Sequence, residues 1–228
     1  MQKKVAIWGA SGHALVVADI LRLQGEYEIV GLLDDLNPER RGQQTAGLPV
    51  LGGREQFDVL RHRRVTHLIF GFGDCSTRLR LTSVAKENGF EFATAIHPRA
   101  VVAAGAAIGV GTVIAAGAVV NPGSSIGAHT IINTCASVDH ECVIGDAVHV
   151  GPGAHLGGRV KVGDEVWIGM GATVLDRLQI GARSIVGAGS VVTKDVDADV
   201  VVYGVPARKI RSVEAQIKRW QQRSSETP

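Results

Sequence analysis

From Val102 to Val192, every sixth residue is a branched aliphatic: Val102, Ile108, Ile114, Val120, Ile126, Ile132, Val138, Ile144, Val150, Leu156, Val162, Ile168, Val174, Ile180, Val186 and Val192, sixteen positions without a slip. A fixed period of this length is the mark of a repeat architecture, in which each unit buries its apolar face only against its neighbours. Two residues before most of these positions stands a small side chain, as at Ala106, Thr112, Ala118, Ser124, Thr130, Ala136, Cys142 and Ala154. Strand alternation sends both the small and the aliphatic residue inward. The residue after the aliphatic is glycine at 109, 127, 145, 151, 157, 163, 169, 181 and 187, where it is expected to absorb the turn geometry. Each hexad then reads as a short strand and a turn. Three hexads close one coil of a three-faced prism, with neighbouring coils about 4.8 Å apart along the axis.

The same period accounts for residues 101–120, which carry no charge and are long enough to span a bilayer. Gly105, Gly109, Gly111 and Gly117 interrupt that stretch, and no membrane insertion is expected. With 29 glycines and 4% aromatics, the chain is a poor candidate for a helical bundle. A formal net charge of +2 offers no broad basic field, so nucleic acid is not an expected partner. Cys75, Cys135 and Cys142 form no CxxC pair, which points to a reducing, cytoplasmic compartment. The apolar run ending at Trp8 is too short for a signal peptide and reads as a first strand.

Residues 1–96 have a different texture. Strands are expected at 5–8, 28–33 and 67–70, with helices at 14–23 and 78–88, the latter closed by Gly89. Strand–helix alternation implies a parallel, Rossmann-like α/β sheet with its ligand site at the carboxyl ends of the strands. Three loops lie there: Gly9 to His13, Asp34 with Asp35, and Gly71 to Asp74. The expected organisation is a nucleotide-sugar-binding α/β domain over 1–96, an all-β solenoid over 97–207 and a polar tail over 208–228, the segment 212–223 being a short helix or frayed.

Several segments together carry a more specific resemblance: GASGHA at 9–14, LLDD at 32–35, IHPRA at 96–100, INTCASVDHECVIGDAVHV at 132–150 and GVPA at 204–207. From about residue 3 to residue 210 the chain resembles the sialic-acid O-acetyltransferase and UDP-4-amino-sugar N-acetyltransferase family, and within it the bacillosamine-pathway type. The resemblance implies a left-handed parallel β-helix of hexapeptide repeats, acetyl-CoA as co-substrate with no metal, a nucleotide-linked amino sugar as acceptor, and a homotrimer. It assigns the motif histidine to His140 with its paired acid Glu141, an acetyl-CoA contact to His149, and an oxyanion glycine to Gly158.

Acyl transfer from a thioester needs a base for the attacking amine or hydroxyl and a donor for the carbonyl oxygen. A histidine beside a carboxylate suits the first role, although a corner pair such as His140–Glu141 also reads as two solvated side chains. Gly158 lies one coil, 18 residues, after His140, so the two are expected to stack. His149 lies half a coil away, on another side of the prism, which predicts active sites between subunits; Trp167 stacks one coil beyond it. Asn133 projects outward and is expected to position the substrate. Gly9, Ser11, Gly12 and His13 form a strand-to-helix loop suited to a phosphate, with GxxG in place of the dinucleotide fingerprint. Asp34 and Asp35 are expected at a base or ribose, or one of them caps a turn. Asp74 and Arg78 are weaker candidates of the same kind. A zinc hydration enzyme, for which His129, His140, His149 and His155 supply nitrogens, and a non-catalytic sugar-nucleotide sensor are the rival classes. Within the transferase class, a sialic-acid O-acetyltransferase is the alternative to N-acetylation.

Overall fold

The computed structural model describes residues 2–214. The N-terminal unit is a six-stranded sheet in the order β3-β4-β2-β1-β5-β6: β1 Lys3–Trp8, β2 Tyr27–Leu33, β3 Gln44–Thr45, β4 Leu48–Gly52, β5 His67–Phe70 and β6 Glu91–Phe92. All pairs are parallel except β3–β4. Helices α1 Gly12–Gln24, α2 Phe57–His62 and α3 Cys75–Glu87 complete it. Gly25 closes α1 in the left-handed region, and the Asp74 carboxylate opens α3 by accepting from the Thr77 backbone N–H.

The remainder is a left-handed parallel β-helix with three faces. Face A carries rungs Ala95–Ile96, Val113–Ile114, Ile131–Ile132, His149–Val150, Trp167–Ile168 and Ile185–Val186; face B starts at Val101–Val102 and face C at Ala107–Ile108. Register is one coil throughout, Ile131 pairing with His149 and His149 with Trp167. The second residue of each rung fills the axis, Ile114, Val150, Ile168 and Val186 being fully buried. Inward threonine and serine hydroxyls bond to carbonyls of the next coil, as Thr130 to Gly145 and Ser124 to Asp139, so these buried hydroxyls are satisfied.

Three expectations need correction. The glycines that follow the aliphatic residues do not supply the turn conformation. A Cβ at Gly127 would lie 2.4 Å from the Gly145 carbonyl carbon, and one at Gly169 2.5 Å from the Ala188 nitrogen: these positions are bare because the next coil's backbone passes over them. The left-handed residue comes two places later and is often not glycine, as at His129, Cys135, Glu141 and Arg159. Second, the solenoid starts at Ala95–Ile96, ahead of the expected residue 97. Third, the expected polar tail from 208 begins as a strand, Ala207–Ser212, antiparallel to Val200–Gly204 on face A; residues 215–228 of that tail lie outside the described residues.

The two units share a core. Helix α1 lies on the first coils of face A, where Ala14, Val17 and Ile20 pack with Ala95, Val113 and Ile131. At the end of this contact Arg78, 1% exposed, runs from α3 into the β-helix and donates to the carbonyls of His129 (2.9 Å), Ala147 (2.8 Å), Val148 (3.1 Å) and Gly73. A buried guanidinium is tolerable because carbonyl oxygens surround it.

Candidate active site

Rung Ser137–Val138 of face B turns into rung Val143–Ile144 of face C, and His140 and Glu141 form that corner. Glu141 takes the left-handed conformation, φ 58°, which swings its carboxylate back beside the preceding ring. His140 Nδ1 lies 3.0 Å from Glu141 Oε2. With the carboxylate accepting, Nδ1 carries the hydrogen and Nε2 is left as a lone pair. The His140 backbone is fixed by its N–H to Asp139 Oδ1 (2.7 Å), and Asp139 is held by Asn121 from the coil before (2.9 Å). Glu141 is pulled below the usual carboxylate range by the His140 hydrogen bond and then by Arg159.

Gly158 sits one coil on, buried under the ring: a Cβ there would be 2.5 Å from His140 Nε2. Its N–H has no hydrogen-bond partner among the described residues. The corner opens into a groove along face B lined by Asn121, Ser137, His155, Thr173 and Asp176. A free imidazole nitrogen above an unpaired backbone N–H is the pairing that deprotonation of a nucleophile beside a developing oxyanion requires.

His149 stands elsewhere, on face A, the side of the prism opposite the His140 corner. It is 6% exposed, stacked 4.3 Å from Trp167 and covered by the α/β unit. Asn133 Nδ2 is 3.1 Å from its Nε2. His13 at the start of α1 approaches it, ring centroids 6.3 Å apart. Burial first, then the Arg78 charge, pushes His149 down to about 3 and His13 down to about 4.

In the glycine loop, Gly9 (φ +128°) lies against Gly71, where a Cβ would be 2.9 Å from backbone carbon. Ser11 and Gly12 are exposed at the α1 N-terminus, with no side-chain cap on the helix. Asp34 caps a turn: its Oδ1 accepts from the Leu36 and Asn37 backbone N–H groups, and Arg40 pairs with Oδ2 at 3.0 Å. Asp35 accepts from Trp8 Nε1 and from Arg54. Both border a shallow groove with Arg41, Arg54 and Glu55 at the carboxyl ends of β2 and β4.

GDP-perosamine N-acetyltransferase from Caulobacter crescentus, solved as a histidine-to-alanine variant with CoA and GDP-perosamine, is 40% identical over 91% of this chain and 96% of its own, with a TM-score of 0.86. The chain belongs to that family of N-acetyltransferases, the bacillosamine type. The acetyltransferase is also similar to the acetyltransferase domain of PglB from Neisseria gonorrhoeae, solved with acetyl coenzyme A: 36% identity, 92% of this chain and 100% of that one, TM-score 0.85. WeeI from Acinetobacter baumannii is 28% identical over 92% and 100%, TM-score 0.77. The family profile described as PglD N-terminal domain matches residues 4–85 of the acetyltransferase, and that described as bacterial transferase hexapeptide (six repeats) matches residues 159–194. Comparison with curated proteins gives no match.

One contributor to the acetyltransferase site is absent from the expectations drawn from the sequence, and one candidate residue has a different place. Arg159 bonds the Glu141 carboxylate, Nε at 3.0 Å and the terminal nitrogen at 2.9 Å; its place one coil after Glu141 was the available signal. Arg78, expected near a base or ribose, is instead the clamp between the two units, and no local pattern marks it as such. Among the described residues, no group of three or more His, Cys, Asp or Glu side chains is arranged to hold a metal ion, and no helix is long and apolar enough to cross a membrane.

Proposed function

We propose that the protein transfers the acetyl group of acetyl-CoA to the amino group of a nucleotide-linked amino-deoxysugar, at sites formed between the subunits of a cytoplasmic homotrimer. The observation that carries this reading is the stack of His140 over Gly158, with Nδ1 tied to Glu141 and Nε2 free above an unpaired N–H. His140 Nε2 takes a proton from the acceptor amine as its nitrogen attacks the thioester carbonyl. Glu141 orients the ring and stabilises the imidazolium that forms. The Gly158 N–H receives the carbonyl oxygen as negative charge develops on it. Collapse of the tetrahedral intermediate expels the CoA thiolate, which the imidazolium protonates, and leaves the amide.

Gly9, Ser11, Gly12 and His13 offer a helix N-terminus to the diphosphate, and Asp35 and the groove beside it lie where the base or ribose would rest. The trimer is supported by the separation of His140 from His149, Asn133 and His13. They occupy opposite sides of one prism, so one reaction centre can use both only across a contact between copies. The relatives bound to CoA and GDP-perosamine support the choice of an amine acceptor, and three unpaired cysteines agree with a reducing compartment.

The test is incubation with acetyl-CoA and a panel of nucleotide-linked 4-amino- and 3-amino-sugars, following thiol release. Turnover on one of these amines, lost in His140→Asn, is the expected result. Turnover on a sialic acid with none on any amine would replace N-acetylation by O-acetylation.

A further inference from the structure

Along the middle of face B the outward residues, one per coil, are Val101, Val119, Ser137, His155, Thr173 and Val191. None is an acid, lysine or arginine, whereas face C carries Lys161 at the corresponding place. Val101 is exposed in the single chain, as is Leu175 beyond Val174 on the same face. A flat wall depleted of charge has the chemistry of a surface that is covered in an assembly. His140 stands at the corner between faces B and C, and Asn133 at the corner between faces A and B. Joining the first corner of one copy to the second corner of the next, three times over, turns the three B faces to a common axis. The opposite arrangement, with the remaining corner inward, would drive together the α/β units that lie on face A.

On that axis the coils supply layers about 4.8 Å apart: valines at 101 and 119, then Ser137, His155 and Thr173, then valine again at 191. His155 Nδ1 is 2.8 Å from Ser137 Oγ in the preceding coil, which fixes the ring, and its Nε2 has no hydrogen-bond partner among the described residues. We infer that three His155 rings, one from each copy, form an axial site for a divalent transition-metal cation of the zinc type. The inference rests on the trimer of the proposed function, since no single chain holds more than one of the three ligands. With the cation on Nε2, the hydrogen is on Nδ1 and the Ser137 hydroxyl accepts it, the oxygen partner that orients a metal-bound imidazole. Three nitrogens related by a threefold axis are three corners of a tetrahedron. The fourth corner lies on the axis and is left to water, beside the Thr173 hydroxyls one coil on. The valine layers close the chamber at both ends, where three neutral rings without a cation would bring their lone pairs together unmet.

The experiment uses the untagged full-length protein. Its mass in solution is measured by light scattering, and its metal content by elemental analysis after loading with zinc and extensive dialysis. The expected result is a trimer with about one zinc per three chains, lost in His155→Gln. Zinc should raise the Tm of the wild type by about 5–10 °C and leave that of His155→Gln unmoved. Cobalt in place of zinc should give the visible absorption of a four-coordinate ion, and Ser137→Ala should weaken zinc binding by about 10–100-fold. A trimer that retains no metal, or one whose metal persists in His155→Gln, overturns the inference and leaves the assembly standing. A monomer in solution overturns the assembly itself, and the axial site with it.

Discussion

Arg159 stands one coil beyond Glu141 and takes the same carboxylate oxygen, Oε2, that accepts from His140 Nδ1. The carboxylate is therefore shared between the base it orients and a cation that draws charge away from it. Both residues sit in the left-handed conformation, φ 58° and 63°, and the one-coil register brings them together.

Removing the cation should make the carboxylate a stronger partner for His140 and easier to protonate. Glu141 is depressed by its hydrogen bonds to His140 and then Arg159. Its anion is present above its titration point and is lost as pH falls through it. In Arg159→Gln that point rises toward the ordinary carboxylate value, which at pH 8 still leaves the anion in place beside His140, so kcat at pH 8 should fall by less than about tenfold. A loss far beyond tenfold at pH 8 would mean that Arg159 acts on the reactants directly and not through Glu141.

Gly158 should tolerate no side chain. A Cβ would stand 2.5 Å from His140 Nε2, so Gly158→Ala must displace the ring from above the backbone N–H. Glycine at this corner has an ordinary φ, so folding is expected to survive. Activity should fall by about 10²–10³, the usual loss when an oxyanion contact is removed, with the urea midpoint nearly unchanged. Near-wild-type turnover would remove Gly158 from the reaction.

Stability should drop in mild acid. His13, His129 and His149 are held neutral by burial first and by nearby cations second, pushed down to about 4, 4 and 3. In the unfolded chain each imidazole titrates near its ordinary value of about 6.5. Between that value and the folded ones, the unfolded chain binds more protons than the native chain, so unfolding becomes easier as pH falls below about 6.5. The expected loss between pH 7 and pH 5 is on the order of a few kcal/mol, seen as a Tm lower by about 5–10 °C. His129→Asn, which keeps a residue suited to the left-handed backbone, should flatten that slope by roughly a third. A Tm independent of pH over this range would contradict the burial of these rings.

The solenoid was legible because one step of 18 residues repeats everywhere: it placed Gly158 over His140 and Trp167 over His149. The same step relates Arg159 to Glu141, the third corner residue. Asp34 was not legible from position, since a carboxylate at the end of a strand serves a turn as readily as a ligand; the turn it caps depends on Asn37 and Arg40, a few residues on. The burial of His149 was not legible at all. It follows from α1 lying on face A and from Arg78 reaching across, contacts between residues far apart in the chain, such as His13 with His149 and Arg78 with His129, that no local pattern encodes.

The two kinds of corner glycine can be separated by paired substitutions. Gly127 has an ordinary φ, but a Cβ on it would be 2.4 Å from the backbone of Gly145 in the next coil. Gly153 is left-handed, φ +64°, with nothing within 4 Å of its Cβ position, and the residue one coil earlier, Cys135, adopts the same conformation with a side chain. If glycine were needed for the turn, Gly153→Ala would be the damaging change. If it is needed for coil-to-coil contact, Gly127→Ala is. Pushing two coils of a close-packed prism apart is expected to cost about 3 kcal/mol, whereas a left-handed alanine costs roughly 1 kcal/mol. Urea unfolding of the two variants should therefore lower the midpoint about three times further for Gly127→Ala. The opposite order would return the repeat's glycines to the role that the hexad pattern alone suggested.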